Sequence, residues 1–291
     1  MATQSATGAV TLRKVTLDAR EIPPMPIVAG KVVSMLRDPD RVNFLELSRV
    51  IASDQALGSR IVKIANSAFF GLPNKINSLS TGLGILGLTT IKNLVLAASV
   101  KQVYKRFGLT EKLLWEHSCM TSLGAAKLAR ELSGRHAEEA FLAGLIHDIG
   151  KVVLTNAAPE AYARVMQVVY SENHEFSAAE TAVFGFDHSD VGGLVLAKWD
   201  FGDLIVDLVK SHHDFEAIGA WPEEKRRLGW CVALANRIAR RAALAGKFEA
   251  KDDDPLFRTP AEALGLDLAR AKEFEARIAV EAAEEMKAFA E

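Results

Sequence analysis

Apolar residues recur along most of the chain at the three- and four-residue spacing of amphipathic helices. Segment 43–52 is typical, with apolar positions at Phe44, Leu45, Leu47, Val50 and Ile51. Sustained alternation of period two, which would indicate strands, does not occur in the sequence. The pattern predicts an all-α fold with helices over 27–37, 43–52, 55–68, 78–86, about 90–106, 111–132, 137–156, 159–173, 188–199, 202–213, 222–245 and 267–290.

Helix breakers divide this pattern into two packed helical subdomains. Ile22–Pro26 predicts a rigid extended entry, because each proline restricts the residue before it, and Gly71–Asn74 predicts a turn. Asp54 is a predicted N-cap, and Gly87 ends a short helix. We expect a flexible tail at 1–20, an N-terminal helical subdomain at 21–107, a second at 108–250, and a linker and C-terminal helix at 251–291.

The C-terminal part has its own signals. Lys251–Pro255 is a charged linker, and Thr259–Glu262 resembles a capping box with proline in the first turn. The last helix is expected to pack back on the protein or to mediate association. Arg240 and Arg241 are interpreted as a solvated helix end that complements the helix dipole.

Composition and charge exclude several classes of protein. Hydrophobic residues make up 49% of the 291 residues and charged residues 25%, as in ordinary globular domains. The net charge of −2 does not favour a polyanionic partner. Cys119 and Cys231 form no disulfide framework, residues 1–20 carry no signal core, and apolar runs are interrupted before 18 residues. We therefore expect a cytoplasmic protein without a membrane span.

The sharpest chemical signal is His147-Asp148 within the apolar segment Phe141–Leu154. This segment is apolar nearly all round, which predicts a helix inside the domain. An ionised Asp148 in such a place needs a partner, because a lone buried carboxylate is very costly. A divalent metal is one partner, and a neighbouring lysine or arginine is the other. Lys151, one turn later, faces the same place.

Four further histidines extend this signal. His117 lies on a helix rich in small residues, His188 begins a helix, and His212 and His213 end another. Imidazole and carboxylate ligands suit iron, manganese or zinc. Each histidine alone is more simply explained as a core or surface residue, but the set as a whole favours a divalent metal site.

The order of these residues resembles that of HD-domain phosphohydrolases, which carry a histidine, a His-Asp pair and a distant aspartate. The resemblance is closer to the HDOD family, the HD-related output domain of bacterial signalling proteins, and covers about residues 20–245. It rests on segments Ile22–Pro26, Asp54–Leu57, Arg60–Gly71, Ile85–Leu88, Trp115–Ser118, Glu139–Gly150 and Asp187–Gly192.

The resemblance implies an HD-like second subdomain and a metal pocket formed by His117, His147, Asp148, His188, His212, His213 and Asn236. The chain departs from the pattern at Asn236, where catalytic HD proteins carry aspartate. An amide is a weaker, uncharged ligand. The Gly-Tyr-Pro element of the related cyclic di-GMP hydrolases is also missing after His212-His213.

These features favour a non-catalytic signalling output module that binds a protein partner and retains a degraded HD-type metal pocket. The alternative is a metal-dependent phosphohydrolase acting on a nucleotide or cyclic dinucleotide, in which Asp148 and Lys151 would be catalytic and Lys151 would contact phosphate. Leu86–Asn93 resembles the turn of a DNA-binding helix-turn-helix, but such turns are common between ordinary helices and DNA is not the expected partner.

Overall fold

The computed structural model describes residues 22–38, 41–66, 74–105 and 108–285. These residues form fifteen α-helices and no strand, which confirms the all-α prediction. The helices are α1 Ile27–Met35, α2 Phe44–Ala52, α3 Gln55–Ala65, α4 Leu79–Val100, α5 Leu109–Ser133, α6 Ala137–Ile146, α7 Ile149–Ala157, α8 Pro159–Glu172, α9 Phe176–Phe184, α10 His188–Lys198, α11 Asp203–Ser211, α12 Phe215–Ala220, α13 Glu223–Ala243, α14 Pro255–Ala263 and α15 Leu268–Glu285. The predicted tail at 1–20, the turn at 71–73 and the Ser67–Gly71 part of the family motif lie outside these ranges.

Helices α1–α4 pack against one another at the N-terminal end of the chain. Asp54 caps α3 as predicted, since its carboxylate accepts the Leu57 N–H at 2.9 Å. Gly87 adopts φ 79° and interrupts α4, as its predicted role as a helix stop requires. Among the described residues, Thr81–Val103 is long and apolar enough to cross a membrane, but 61% of its most apolar window is buried in the protein. A core helix of a globular fold meets the same criterion.

The second group of helices is built around α5, which packs along α6 and α13. Helix α10 contacts α7 and α11, and α15 packs back onto α5 and α13. The two groups meet where α4 contacts α6, and Thr90 donates a hydrogen bond to Glu138 there at 2.8 Å. The extended N-terminal segment is tied to α10 because Trp199 Nε1 donates to the Pro23 carbonyl at 2.9 Å. The exact boundary between subdomains stays a prediction.

The structure corrects three expectations about helices. The helix predicted over 137–156 is two helices, α6 and α7, separated at His147 and Asp148. The capping box at Thr259–Glu262 is wrong: α14 begins at Pro255 behind the N-cap Asp254, and Pro260 lies inside it. Helices α9 and α12 were not predicted, since both are short segments that lack a long amphipathic repeat.

One close backbone contact positions the break between α6 and α7. Gly150 lies so near the first turn of α10 that a Cβ placed on it would be 2.0 Å from the His188 carbonyl oxygen and 2.9 Å from the Gly192 nitrogen. No side chain fits between these backbones. The contact sets the distance between Asp148, just before α7, and His188, at the start of α10.

We predict that Gly150→Ala destabilises the protein by roughly 3 kcal/mol, because two backbones must separate to admit the methyl group. Gly84→Ala is the matched control, since Gly84 is helical and has no atom within 4 Å of an added Cβ. It should stabilise the protein by about 0.5–1 kcal/mol. Urea unfolding followed by circular dichroism measures both. Equal effects of the two substitutions would contradict the close α7–α10 approach.

Candidate metal centre

The structure brings all seven predicted site residues into one place. His117 comes from α5, His147 and Asp148 from the break between α6 and α7, and His188 from the start of α10. His212 and His213 follow α11, and Asn236 comes from α13. The site therefore joins five parts of the chain. Their convergence agrees with the predicted order, and their role as metal ligands stays a prediction.

Asp148 lies at the centre of the cluster. Its Oδ2 is 3.4 Å from His117 Nε2 and 3.3 Å from His147 Nε2, and its Oδ1 is 3.2 Å from His188 Nε2. The carboxylate is 2% exposed. The sequence analysis placed His147 and Asp148 within one continuous helix, and this is wrong. The chain leaves α6 at His147 and starts α7 after Asp148, and this break directs both side chains to the same point.

Each central imidazole is held through its outer nitrogen. His147 Nδ1 donates to the Gly144 carbonyl at 2.7 Å, and His212 Nδ1 donates to the Val209 carbonyl at 2.7 Å. A carbonyl oxygen only accepts, so the Nδ1 atoms carry the protons and the Nε2 atoms of the neutral rings present lone pairs to the centre. Outer hydrogen bonds of this kind fix the orientation of histidine ligands in metal sites.

The inward nitrogens lie too close together for their lone pairs to face one another. His188 Nε2 is 3.2 Å from His212 Nε2 and 3.2 Å from His213 Nε2. Facing lone pairs repel unless a proton or a metal ion lies between them. The arrangement therefore requires a proton or a metal ion at this point.

The residues form two sets of three donors, and each set suits one metal ion. His188, His212 and His213 form one set, and His117, His147 and Asp148 form the other, with ligand atoms within 4.8 Å of one another in each. His147 Nε2 and Asp148 Oδ1 are buried and make no hydrogen bond of good geometry with any described residue. Buried polar atoms without partners are costly, and a divalent ion would satisfy them. The donor set therefore fits a metal.

The electrostatics favour the protonation states that metal binding requires. Burial lowers the pKa of His117 to about 3, although Asp148 acts in the opposite direction. Burial also holds the pKa of His212 and His213 well below the usual range. These three rings are neutral at pH 7, which is the form that ligates metals. Asp148 stays ionised: burial raises its pKa, but His147 and Lys151 hold it well below its usual range.

Lys151 is bound to the site rather than free to meet a ligand. Its ammonium donates to Asp148 Oδ2 at 2.7 Å and lies 3.9 Å from the centre of the Phe176 ring. The side chain is 3% exposed. The sequence suggested two partners for Asp148, a divalent metal and a basic side chain. Both are compatible with the structure, because Lys151 binds Oδ2 while Oδ1 faces His188.

Asn236 faces His117 at the edge of the site, where Asn236 Oδ1 lies 3.0 Å from His117 Nε2. An amide oxygen only accepts, so in this arrangement the His117 Nε2–H donates. An ion bound by His117, His147 and Asp148 would therefore have to displace this hydrogen bond before it could use the lone pair of His117 Nε2. An aspartate at this position would add a charged ligand instead.

Glu180 is a site residue that the sequence analysis missed. Its Oε2 accepts from His188 Nδ1 at 2.5 Å and from the His188 backbone N–H at 2.9 Å, and Tyr162 donates to its Oε1 at 2.7 Å. Glu180 is fully buried. Although burial lowers the pKa of His188, Glu180 and Asp148 outweigh it and raise that pKa to about 9. Without a metal, a proton on His188 therefore occupies the space between these nitrogens.

The only sequence signal for Glu180 was a charged residue, eight positions before His188, in a segment that was not predicted to be helical. A carboxylate–histidine pair of this kind holds a ligand ring in place and increases its basicity.

The arginines at the end of α13 also differ from their interpretation as a solvated helix end. The side chains of Arg240 and Arg241 are only 10% and 8% exposed. Arg240 lines a narrow cleft beside His212, His213 and Asn236.

The sequence profile of the HDOD domain matches residues 22–215, more than half of the chain. This chain belongs to the HDOD family. A curated relative, an uncharacterised protein of Treponema pallidum, is 25% identical over 221 residues, which cover 76% of this chain and 42% of that protein. The matched part of the chain therefore spans less than half the length of this relative.

Solved structures share the fold over nearly all of the chain. An HDOD domain protein of unknown function from Geobacter sulfurreducens is 25% identical, with a TM-score of 0.72 over 93% of this chain and 94% of that one. A "Putative phosphohydrolase" from Shewanella amazonensis SB2B is 22% identical, with a TM-score of 0.69 over 93% and 96%. A "Putative signal transduction protein" from Marinobacter aquaeolei VT8 is 19% identical, with a TM-score of 0.68 over 98% and 61%. The last two similarities establish the fold alone.

We predict that Glu180→Gln weakens zinc binding by roughly 10- to 100-fold, because the charged partner that orients His188 is lost. Glu172→Gln is the matched control, since Glu172 pairs with His174 at an exposed position. It should leave zinc affinity unchanged. Competition with a chromophoric chelator measures the affinity, and thermal melting checks that both variants fold. Equal zinc affinity of Glu180→Gln and the native protein would contradict this role.

Proposed function

We propose that this chain is a signalling output module that acts mainly through protein interaction and retains a degraded HD-type metal pocket. The observation that carries the proposal is the contact between Asn236 and His117. The amide occupies the position of the final ligand without contributing charge, and it binds the inward nitrogen of another ligand. Membership of the HDOD family supports the signalling context.

The charge of the pocket also supports weak metal retention. Asp148 is the only carboxylate among the seven predicted ligands, and one of its oxygens is already bound by the Lys151 ammonium. Two divalent ions would bring four positive charges into a buried site with a single negative ligand. Buried charge without matching countercharge is strongly unfavourable. One ion, or loosely held ions, is therefore the expected state.

When an ion is present, the two donor sets would hold it, with His188, His212 and His213 in one and His117, His147 and Asp148 in the other. Such an ion would supply Lewis-acid stabilisation of charge on a phosphoryl oxygen. Iron, manganese and zinc all suit these donors. In the proposed module the ion mainly joins α5, α7, α10 and α11.

The N-terminal helices offer a surface for a protein partner. Helices α1 and α2 contact each other, and they expose Ile27 by 77%, Leu45 by 62% and Phe44 by 48%. Large apolar side chains at the surface are common singly, but several on neighbouring helices are typical of interaction sites. We assign the partner surface to this end of the protein, away from the residues of the metal pocket.

The second candidate function is a metal-dependent phosphohydrolase acting on a nucleotide or cyclic dinucleotide. It is favoured because six of the seven predicted ligands are histidine or aspartate, and these six lie close together. Lys151 would contact phosphate in this case, and Asp148 would be catalytic. Lys151 would first have to leave Asp148, to which it is bound.

We predict that the native protein loaded with Mn²⁺ hydrolyses cyclic di-GMP and simple nucleotides very slowly or not at all. Asn236→Asp should bind Mn²⁺ at least about tenfold more tightly, since it gains a charged ligand. Metal content by elemental analysis and product formation by chromatography measure the two effects. Robust turnover by the native protein that His147→Ala abolishes would replace the leading proposal with the phosphohydrolase.

We further predict that a photo-crosslinking residue at Leu45 captures one discrete protein in the native cell. The same residue at Glu273, an exposed position on α15, is the control and should give no such adduct. Gel mobility and mass spectrometry of the adduct identify the partner. Equal labelling at both positions, or none at Leu45, would contradict an interaction surface on α1 and α2.

A further inference from the structure

The cleft beside the metal pocket is lined by two arginines that the proposed function does not use. Lys151, Arg237 and Arg240 line it, and Glu175 is the only acidic residue among the described residues that do so. His212, His213 and Asn236 line the same space, so the cleft and the pocket are continuous. A cleft lined by cations attracts anionic ligands.

Glu175 lies against both arginines at once. Its Oε1 accepts from Arg237 Nη1 at 2.8 Å, and its Oε2 lies 3.3 Å from Arg240 Nε, which is buried and makes no hydrogen bond of good geometry with any described residue. Arginine pairs with phosphate through the same kind of charge-assisted N–H···O contact that it makes with a carboxylate. The carboxylate therefore occupies the position that a ligand phosphate would take.

The two arginines differ in how easily they could exchange this partner. Arg237 is also bound by Asp254 from the other side, at 2.6 Å from its Nε. Arg240 has Glu175 as its only carboxylate contact among the described residues, and its Nη2 donates to the His174 carbonyl at 2.7 Å. Burial lowers the pKa of Arg240, while Glu175 acts in the opposite direction. Glu175 is 33% exposed, so its carboxylate can turn towards solvent, whereas the buried Arg240 cannot.

Aromatic and apolar side chains form the rest of the cleft. The rings of Tyr170 and Phe176 meet edge to face at 6.2 Å, and Phe215, Leu114, Leu244 and Leu256 complete the apolar lining. Aromatic walls stack on planar bases, and a guanidinium pair binds the phosphate beside them. The combination suits a ligand with both a phosphate and a planar ring system.

We propose that Arg237 and Arg240 form a binding site for a nucleoside phosphate, whose phosphate displaces Glu175 while its base packs on Tyr170 and Phe176. The inference deepens the proposed function and rests on it, because the ligand would be the signal that the output module senses. Binding needs no turnover and no bound metal. Release of Glu175 removes one contact that holds the Asn173–Glu175 connection between α8 and α9, while Arg240 still binds the His174 carbonyl.

The test titrates AMP into the full chain in the presence of a metal chelator, with isothermal calorimetry as the readout. Glu175→Gln should bind AMP at least fivefold more tightly than the native protein, since the competing charge is removed. Arg240→Gln should bind AMP at least tenfold more weakly than the native protein. The AMP affinity of Arg240→Lys should lie between those of Arg240→Gln and the native protein. Glu262→Gln and Arg258→Gln are the controls, because these residues form an exposed pair on α14. Both should bind AMP as the native protein does.

A gain of affinity in Glu175→Gln cannot result from misfolding, and thermal melting confirms that the arginine variants fold. Adenosine should bind at least tenfold more weakly than AMP, and inorganic phosphate should show the same dependence on Arg240. Unchanged or weaker AMP binding by Glu175→Gln, native-like binding by Arg240→Gln, or equal binding of adenosine and AMP would each overturn the proposal. Turnover by the Mn²⁺-loaded protein bears only on the proposed function, because the titration contains no metal.

Discussion

The burial of the Asp148 carboxylate determines the organisation of the second half of this protein. A carboxylate that is 2% exposed must be surrounded by groups that compensate its charge. Lys151 provides one such group at 2.7 Å, and the histidines provide the others at 3.2–3.4 Å. These histidines come from α5, α10 and the break after α6, so compensation of one charge requires those elements to converge. The close contact of Gly150 with the His188 carbonyl makes this convergence sterically possible.

A second layer of hydrogen bonds converts a group of histidines into a set of aligned donors. The Gly144 and Val209 carbonyls hold two rings, and the buried Glu180 carboxylate holds His188. Without these contacts each ring could rotate and satisfy its inward nitrogen elsewhere. With them, the nitrogens face one another at 3.2 Å and require a proton or a metal ion between them. The site is thus prepared to bind a cation whether or not it supports catalysis.

Metal retention, catalysis and ligand binding are separable properties of this pocket. The donor sets suit a metal, but Asn236 and the Lys151–Asp148 ion pair reduce the negative charge that would hold ions firmly. The arginines of the adjoining cleft are bound by Glu175 rather than by any metal ligand. In the function proposed here, the protein needs no hydrolysis and couples an anionic ligand to the α8–α9 connection. In the same proposal, the module transmits a signal to a partner at its N-terminal helices.

The sequence by itself determined the helical class and most helix positions, and the family resemblance predicted which histidines lie together. Helical periodicity and capping residues such as Asp54 are local, and the family motif fixes which histidines belong together. Only the tertiary structure decided what depends on contacts between distant segments. The break at His147-Asp148 is one example, because an apolar run of fourteen residues has helical periodicity on both sides of it. Glu180 and Arg240 are others: each acquires its role from a partner that another helix brings to it, and no local pattern encodes such a partner.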